Sequence, residues 1–153
     1  MELKYYKIGS GVGVADQALV AFDSALIHAG ISNYNLLRVS SILPPGAKEA
    51  AAIGLSEGSL LPTAYGTITS DIPGDRIASA VAIGFPCDKS KVGVIMEFEG
   101  HCSKEQAEET VRRMTMEAMR NHDIQMERIV VSGVDAVVEN GCASCISAVA
   151  MWG

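Results

Sequence analysis

No apolar run in this sequence is long enough to cross a bilayer as a helix, because Gly, Ser and charged residues interrupt every candidate. The opening Met1-Glu2-Leu3-Lys4-Tyr5-Tyr6 has no basic stretch leading into an apolar one. That predicts no export signal, a cytoplasmic chain and no membrane partner. Positive charge is also in short supply: 12 Lys and Arg against 18 Asp and Glu leave a net charge of −6. Such a balance argues against nucleic acid or an anionic membrane surface as partner and fits a cationic small substrate slightly better.

Histidine is scarce, and His28, His101 and His122 are scattered with no two at metal-ligand spacing. Cys87, Cys102, Cys142 and Cys145 are expected to be thiols in a reducing cytoplasm. Cys142 and Cys145 form a Cys-Ala-Ser-Cys string, yet no second pair and no paired histidines complete a zinc set. The following Ile146-Ser147-Ala148-Val149-Ala150 reads as a strand. Buried structural thiols, and no metal, are therefore expected. Internal repeats, low-complexity tracts and linkers are absent.

What is present suits one compact domain over residues 1–153, with 48% apolar and 20% charged residues. Leu3 to Ile8 reads as a short strand ended by Gly9-Ser10-Gly11. Asp16 offers an N-cap to a helix with Leu19, Phe22, Leu26 and Ala29 at helical spacing, stopped by Gly30. Asn35 to Ser41 reads as a strand running into Pro44-Pro45-Gly46, which cannot continue a ladder. Residues 46–61 read as a loop. Strands are expected over 62–69, 76–86 and 91–98, separated by turn residues. Ser103 opens the clearest helix, with Gln106 completing a capping box and Ala107, Val111, Met114 and Ala118 as the buried stripe. Two last strands, 127–139 and 142–152, flank Glu139-Asn140-Gly141, a hairpin-type turn. Two helices beside about seven strands indicate an α+β fold with largely antiparallel sheets flanked by helices.

Three places offer chemistry. The Ser40-Ser41 pair in Val39-Ser40-Ser41-Ile42-Leu43-Pro44-Pro45 is, as a dipeptide, simply two hydroxyls at a strand end. No Gly-x-Ser-x-Gly elbow supports an ordinary serine nucleophile there. A strand that must stop at two prolines does, however, hold the preceding peptide in a constrained geometry that lowers the barrier to internal attack. Glu97 and Glu99 in Ile95-Met96-Glu97-Phe98-Glu99-Gly100 share one face of a strand. They form either a solvated face or a pair that raises one another's proton affinity, leaving a carboxylic acid near neutral pH. Asp23 lies one turn beyond Leu19 beside Phe22, either as a surface charge or as a binding group.

Four segments together resemble the pyruvoyl-dependent arginine decarboxylases of archaea and some bacteria. They are Ala21-Phe22-Asp23 with Asn33-Tyr34-Asn35-Leu36; Arg38-Val39-Ser40-Ser41-Ile42-Leu43-Pro44-Pro45; Pro62-Thr63-Ala64-Tyr65-Gly66 with Ser70-Asp71-Ile72-Pro73-Gly74; and Gly93 to Gly100 through Cys102-Ser103-Lys104-Glu105. The likeness runs from about residue 18 to the end, with Gly141-Cys142-Ala143 and Trp152.

The resemblance implies a layered αββα sandwich and a proenzyme that cleaves itself between Ser40 and Ser41. The products are a β chain, 1–40, and an α chain, 41–153, whose first residue, the former Ser41, becomes a pyruvoyl group. That self-derived ketone is the implied cofactor. It forms a Schiff base with the substrate amine and conjugates the electrons left at Cα into the adjacent carbonyl, the task of pyridoxal phosphate elsewhere. By the same resemblance Glu97 is the proton donor, and Asn35 serves processing by holding the Ser40 carbonyl. Asp23 receives a guanidinium, Leu19 packs along the substrate's methylenes, and Tyr34 and Ile42 complete the substrate contacts. Ser32 and Tyr34 stand where the family has smaller or aliphatic residues, so Tyr34 either narrows the pocket or adds a hydroxyl.

In an extended strand Asn35 and Ser41 are about 20 Å apart. Asn35 is therefore expected to serve a neighbouring subunit, in agreement with the family's homotrimers. The implied reaction is L-arginine to agmatine and CO2, with polyamine synthesis and acid resistance both open as its setting. The alternatives are the same chemistry on another amino acid, an unprocessed ligand-binding oligomer of the same fold, and a Cys142/Cys145 metal protein.

Overall fold

The computed structural model describes residues 1–153. In chain order the elements are β1 (Tyr5–Ala15), α1 (Ala18–Ala29), β2 (Asn35–Arg38), β3 (Ile42–Leu43), β4 (Lys48–Glu49), β5 (Leu60–Ser70), β6 (Arg76–Pro86), β7 (Gly93–Gly100), α2 (Lys104–Asn121), β8 (Met126–Val137) and β9 (Cys142–Trp152). They build two sheets, one ordered β2-β5-β9-β1-β4 and one ordered β3-β7-β6-β8. The β1–β4 and β2–β5 pairs are parallel and all others antiparallel. The sheets stack face to face over a core that includes Tyr6, Val81, Ile83, Ile95, Val149 and Met151. The outer face of the first sheet packs Ile146, Ala148 and Ala150 against Ala25, Leu26 and Ala29 of α1. That of the second packs Ala78, Ala80 and Ala82 against Ala107 and Val111 of α2. The layers are α1, sheet, sheet, α2, as expected.

Between the apolar ends of the inter-sheet core runs a layer of hydroxyls. Ser10 Oγ lies 2.7 Å from Ser132 Oγ and 2.8 Å from Ser147 Oγ, and Ser147 lies 3.0 Å from Ser79. The contacts join β8, β1, β9 and β6, so each buried hydroxyl is satisfied by one from the facing sheet. Sliding one sheet past the other would break them together.

The capping box at Ser103 is present in both directions, Gln106 N–H to Ser103 Oγ at 3.2 Å and Ser103 N–H to Gln106 Oε1 at 2.9 Å. On α2 the buried stripe is Ala107, Val111, Thr115, Ala118 and Met119; Met114 is half-buried. Thr115 tolerates burial because its hydroxyl donates to the Val111 carbonyl at 2.8 Å.

Five expectations need correction. β1 does not stop at Gly9 but runs to Ala15, and its glycines are contact sites rather than breakers. A Cβ at Gly9, Gly11 or Gly13 would lie 2.5, 2.4 and 2.1 Å from the carbonyl oxygens of Ala29, Ala25 and Ala21. The helix backbone sits directly on the strand, and only glycine facing an alanine stripe permits it. For the same reason the inward face of α1 is Ala21, Ala25, Leu26 and Ala29, while Leu19 is 77% exposed. The N-cap is Gln17, without a side-chain cap bond, rather than Asp16. β2 ends at Arg38, not Ser41. Finally, β8 and β9 are not a hairpin: they belong to different sheets, and the 139–141 turn carries the chain from one to the other.

Gly11→Ala should lower stability by about 3 kcal/mol, the upper range for overpacking, because the methyl meets backbone that cannot rotate away. Urea unfolding measures it, and an unchanged midpoint would contradict the strand–helix contact.

Candidate active site

Ser40 and Ser41 lie where the chain leaves one sheet for the other. Arg38, the last residue of β2, pairs with Thr63 of β5, and the Val39 N–H donates to the Thr63 carbonyl at 3.2 Å. Three residues later Ile42 pairs with Val94 of β7 in the second sheet. In between, the Ile95 N–H donates to the Ser41 carbonyl at 2.7 Å. The Ile42 N–H donates to the Ser40 carbonyl at 3.1 Å, a γ-turn centred on Ser41. Both carbonyls flanking the Ser41 Cα thus face backbone donors, an arrangement that polarises them toward negative oxygen. Ser40 is exposed and Ser41 half-buried.

Glu97 stands two residues beyond Ile95 on β7, about 7 Å along the strand. Strand alternation puts it on the face of Ile95, between the sheets, while Met96 and Phe98 pack toward α2. Of this pair, Glu97 is half-buried and Glu99 exposed. Gly66 of β5 makes room for both: a Cβ there would lie 2.9 Å from Glu99 Oε2 and 3.3 Å from Glu97 Cβ. Loss of water pushes the Glu97 carboxyl above the usual carboxylate range; the Arg38 guanidinium pulls it down and Glu99 pushes it further up. Its Oε2 is buried with no hydrogen-bond partner. A buried carboxyl oxygen without a partner, on the strand that binds the Ser41 carbonyl, is free to hydrogen-bond or pass a proton to a group placed between the sheets.

Arg38, Tyr65 and Gly66 belong to this site and carry no role in the sequence reading. The Arg38 Nη2 donates to the Tyr65 carbonyl at 2.7 Å, with the guanidinium 4.5 Å over the Tyr65 ring. Gly66 carried a readable signal, since an isolated glycine in a strand marks a close approach. Arg38 and Tyr65 carried none, because their contact joins residues 27 positions apart.

The other expected site residues lie elsewhere on the chain. Asp23 and Leu19 are exposed on α1, on the outer side of the first sheet. Tyr34 is half-buried against the cluster under α1, its hydroxyl donating to the Leu55 carbonyl at 3.4 Å. The Asn35 amide donates to the Gly58 carbonyl at 2.8 Å, at the far end of β2 from Arg38. Ile42 is 37% exposed at the crossing. One chain places Ser40, Ser41 and Ile42 against β7, the strand that carries Glu97, and does not bring Asp23, Leu19, Tyr34 or Asn35 there. No cavity of the single chain is lined by Ser41 or Glu97; the largest, about 370 Å³, lies beside Tyr6, Phe85, Lys89 and Arg128.

Cys142 and Cys145, three apart on β9, present their side chains to opposite faces and cannot share a metal ion. Burial pushes the Cys145 thiol up to about 12, so it stays protonated and inert. No helix is long and apolar enough to cross a membrane.

The family model described as pyruvoyl-dependent arginine decarboxylase matches residues 5–152. The chain belongs to that family. Curated members include the pyruvoyl-dependent arginine decarboxylase of Methanocaldococcus jannaschii, 45% identical over 94% of this chain and 86% of that one. That of Thermococcus kodakarensis is 35% identical over 95% of this chain and 92% of that one. Among solved structures, a pyruvoyl-dependent histidine decarboxylase at pH 8 matches with a TM-score of 0.53 and 19% identity. The match covers 65% of this chain and 52% of that chain, a likeness of fold.

Glu97 predicts a pH-dependent stability. Its folded pKa is raised, so the folded state tolerates the carboxyl below the unfolded pKa and is penalised as pH rises through the folded one. Glu97→Gln, which resembles the protonated acid, should raise Tm at about pH 8 and change it little at about pH 4. Equal shifts at both, by thermal unfolding, would contradict the buried-acid assignment.

Proposed function

We propose that this chain is a self-processing decarboxylase that cleaves itself between Ser40 and Ser41 and converts L-arginine to agmatine and CO2. The observation that carries it, in a member of this family, is the Ser40–Ser41 peptide at the sheet crossing, both carbonyls on backbone donors, one of them from β7, which also carries the half-buried Glu97 with its orphan oxygen. Cleavage leaves fragments 1–40 and 41–153, with a pyruvoyl group made from Ser41 at the head of the second. That group supplies an electron sink for the carbon that loses its carboxylate.

The protein's own side chains do the rest. Glu97, whose carboxyl partial loss of water makes a weaker acid, delivers a proton to that carbon. Gly66 leaves room for it, Glu99 raises its pKa further, and Arg38, fixed on Tyr65, limits that rise. Ile42 borders the reacting position.

Asp23 and Leu19 supply substrate recognition, the carboxylate for the guanidinium and the leucine for the methylenes, with Tyr34 shaping the pocket and Asn35 assisting processing. These four come from a second copy of the chain in a homotrimer. Two observations support the assembly. The outward face of α1 leaves Leu19, Val20 and Ile27 at 77, 55 and 57% exposed around Asp23, an apolar patch with one charge in it. Also, Ser41 and Glu97 line no cavity that one chain encloses. A cytoplasmic setting, which keeps the four thiols reduced, goes with this reading.

Ser41→Ala should abolish both cleavage and decarboxylation, leaving a single band on denaturing electrophoresis. Glu97→Gln should still cleave and lose roughly 10²–10⁴-fold in turnover, the usual share of a general acid. A Glu97→Gln protein with full turnover in a CO2-release assay would remove the proton-donor role. Asp23→Ala should raise the KM for arginine with a smaller effect on cleavage, and an unchanged KM would move the reading to another amino acid.

A further inference from the structure

The Ser41 carbonyl oxygen has a partner that the acyl shift does not use. We infer that the backbone N–H of Ile95 is the donor that makes the Ser41 Cα proton removable, and so drives the elimination step of self-processing. This rests on the self-cleavage reading and adds to it a named group for the second of its steps.

The steps separate by oxygen atom. In the first, Ser41 Oγ attacks the Ser40 carbonyl carbon and the C=O pair moves onto the Ser40 oxygen. As the carbonyl reforms, the bond to Ser41 nitrogen breaks and that nitrogen keeps the proton lost by Oγ, so an amide becomes an ester of equal mass. Charge develops here on the Ser40 oxygen, which faces the Ile42 N–H at 3.1 Å. The departing nitrogen makes no backbone hydrogen bond that would resist its release.

In the second step the Ser41 Cα proton passes to solvent base. Its electron pair spreads onto the Ser41 carbonyl oxygen, then forms the Cα–Cβ double bond as the Cβ–Oγ bond breaks and Ser40 leaves as a carboxylate. Protonation of the resulting enamine, addition of water and loss of ammonia complete the ketone. The charge of this step sits on the Ser41 oxygen, and the group facing that atom is the Ile95 N–H at 2.7 Å.

The geometry favours a fixed donor. A distance of 2.7 Å is at the short end for N–H···O. Ile95 is fully buried in β7, a strand paired on its other side with β6 through Ile83. β3 is only Ile42 and Leu43, so this bond extends its pairing by one residue, onto the residue that reacts. A donor aimed at an oxygen before charge arrives costs nothing to reorganise when it does.

The test replaces that single N–H by oxygen, using the α-hydroxy analogue of isoleucine at position 95 in cell-free synthesis of the full chain. The unaltered chain and an ester at Ile77 serve as controls. Ile77 lies at the other end of β6 from Gly84, which pairs with Val94. The Ile95 ester chain should complete the first step and stall. Intact mass should stay that of the precursor, and hydroxylamine should split it between residues 40 and 41 into a hydroxamate-ended fragment and one beginning with unmodified serine. Fragment masses separate this from cleavage at the introduced ester. Conversion to the keto-ended fragment should slow roughly 10²–10³-fold, the scale of losing one oxyanion donor. Conversion at the rate of the Ile77 control, or a folded chain that hydroxylamine cannot split at 40–41, would overturn the assignment. An unaltered chain that never cleaves would instead sink the self-cleavage reading. Should the ester chain not fold, Ser41→Ala carrying ¹³C at its residue 41 carbonyl decides by infrared: a band shifted down by a strong hydrogen bond is expected, and a free-carbonyl band would overturn the inference.

Discussion

Two hydrogen bonds on opposite sides of one peptide tie it to different sheets. The Val39 N–H is held by Thr63 of the first sheet at 3.2 Å, and the Ser41 carbonyl by Ile95 of the second at 2.7 Å. The Ser40–Ser41 bond lies between these two anchors, and the sheets are fixed to one another by the core around Val81, Ile95 and Val149 and by the serine layer. A reactive peptide in a flexible loop would spend most of its time out of line with any donor. Under the proposed self-cleavage, the whole sandwich is the positioning device that presents this one bond for internal chemistry.

Small residues make the rest of the architecture possible. Gly9, Gly11 and Gly13 let α1 sit on β1 through its alanines, and that close seat turns the larger side chains Leu19, Val20 and Ile27 outward. Gly66 leaves the space that Glu97 occupies between the sheets, where burial rather than a neighbouring charge is the main cause of its raised pKa. Removing bulk in these two places thus creates the outward apolar face on one side and room for the half-buried glutamate on the other.

Much of this was legible in the sequence, and the misses share a cause. Period two put Glu97 and Glu99 on one face, and the capping box placed α2, because both signals are local. Neither could tell that the glutamate face turns inward, since that depends on which strand lies opposite and on Gly66, 31 positions away from Glu97. Gly9-Ser10-Gly11 reads as a strand breaker until a helix is found lying on it. The 139–141 turn has hairpin residues, but the strands on either side are claimed by different sheets, β8 by β6 and β9 by β1 and β5. The two prolines end β3 at Leu43, but β2 has already stopped at Arg38, and the sheet change at Ser40–Ser41 leaves no local signature. Arg38 was part of the recognised string yet had no reading, because Tyr65 and Glu97 reach it only through the fold.

The most direct test is the chemical identity of residue 41 in active protein. Mass spectrometry of the N-terminal peptide of the larger fragment, before and after borohydride, reads it without reference to substrate. A ketone at position 41 that takes up two hydrogens, with Ser40 ending the smaller fragment as a free carboxylate, is the predicted result. Active protein that retains a serine hydroxyl at position 41 on an unbroken chain would contradict the account.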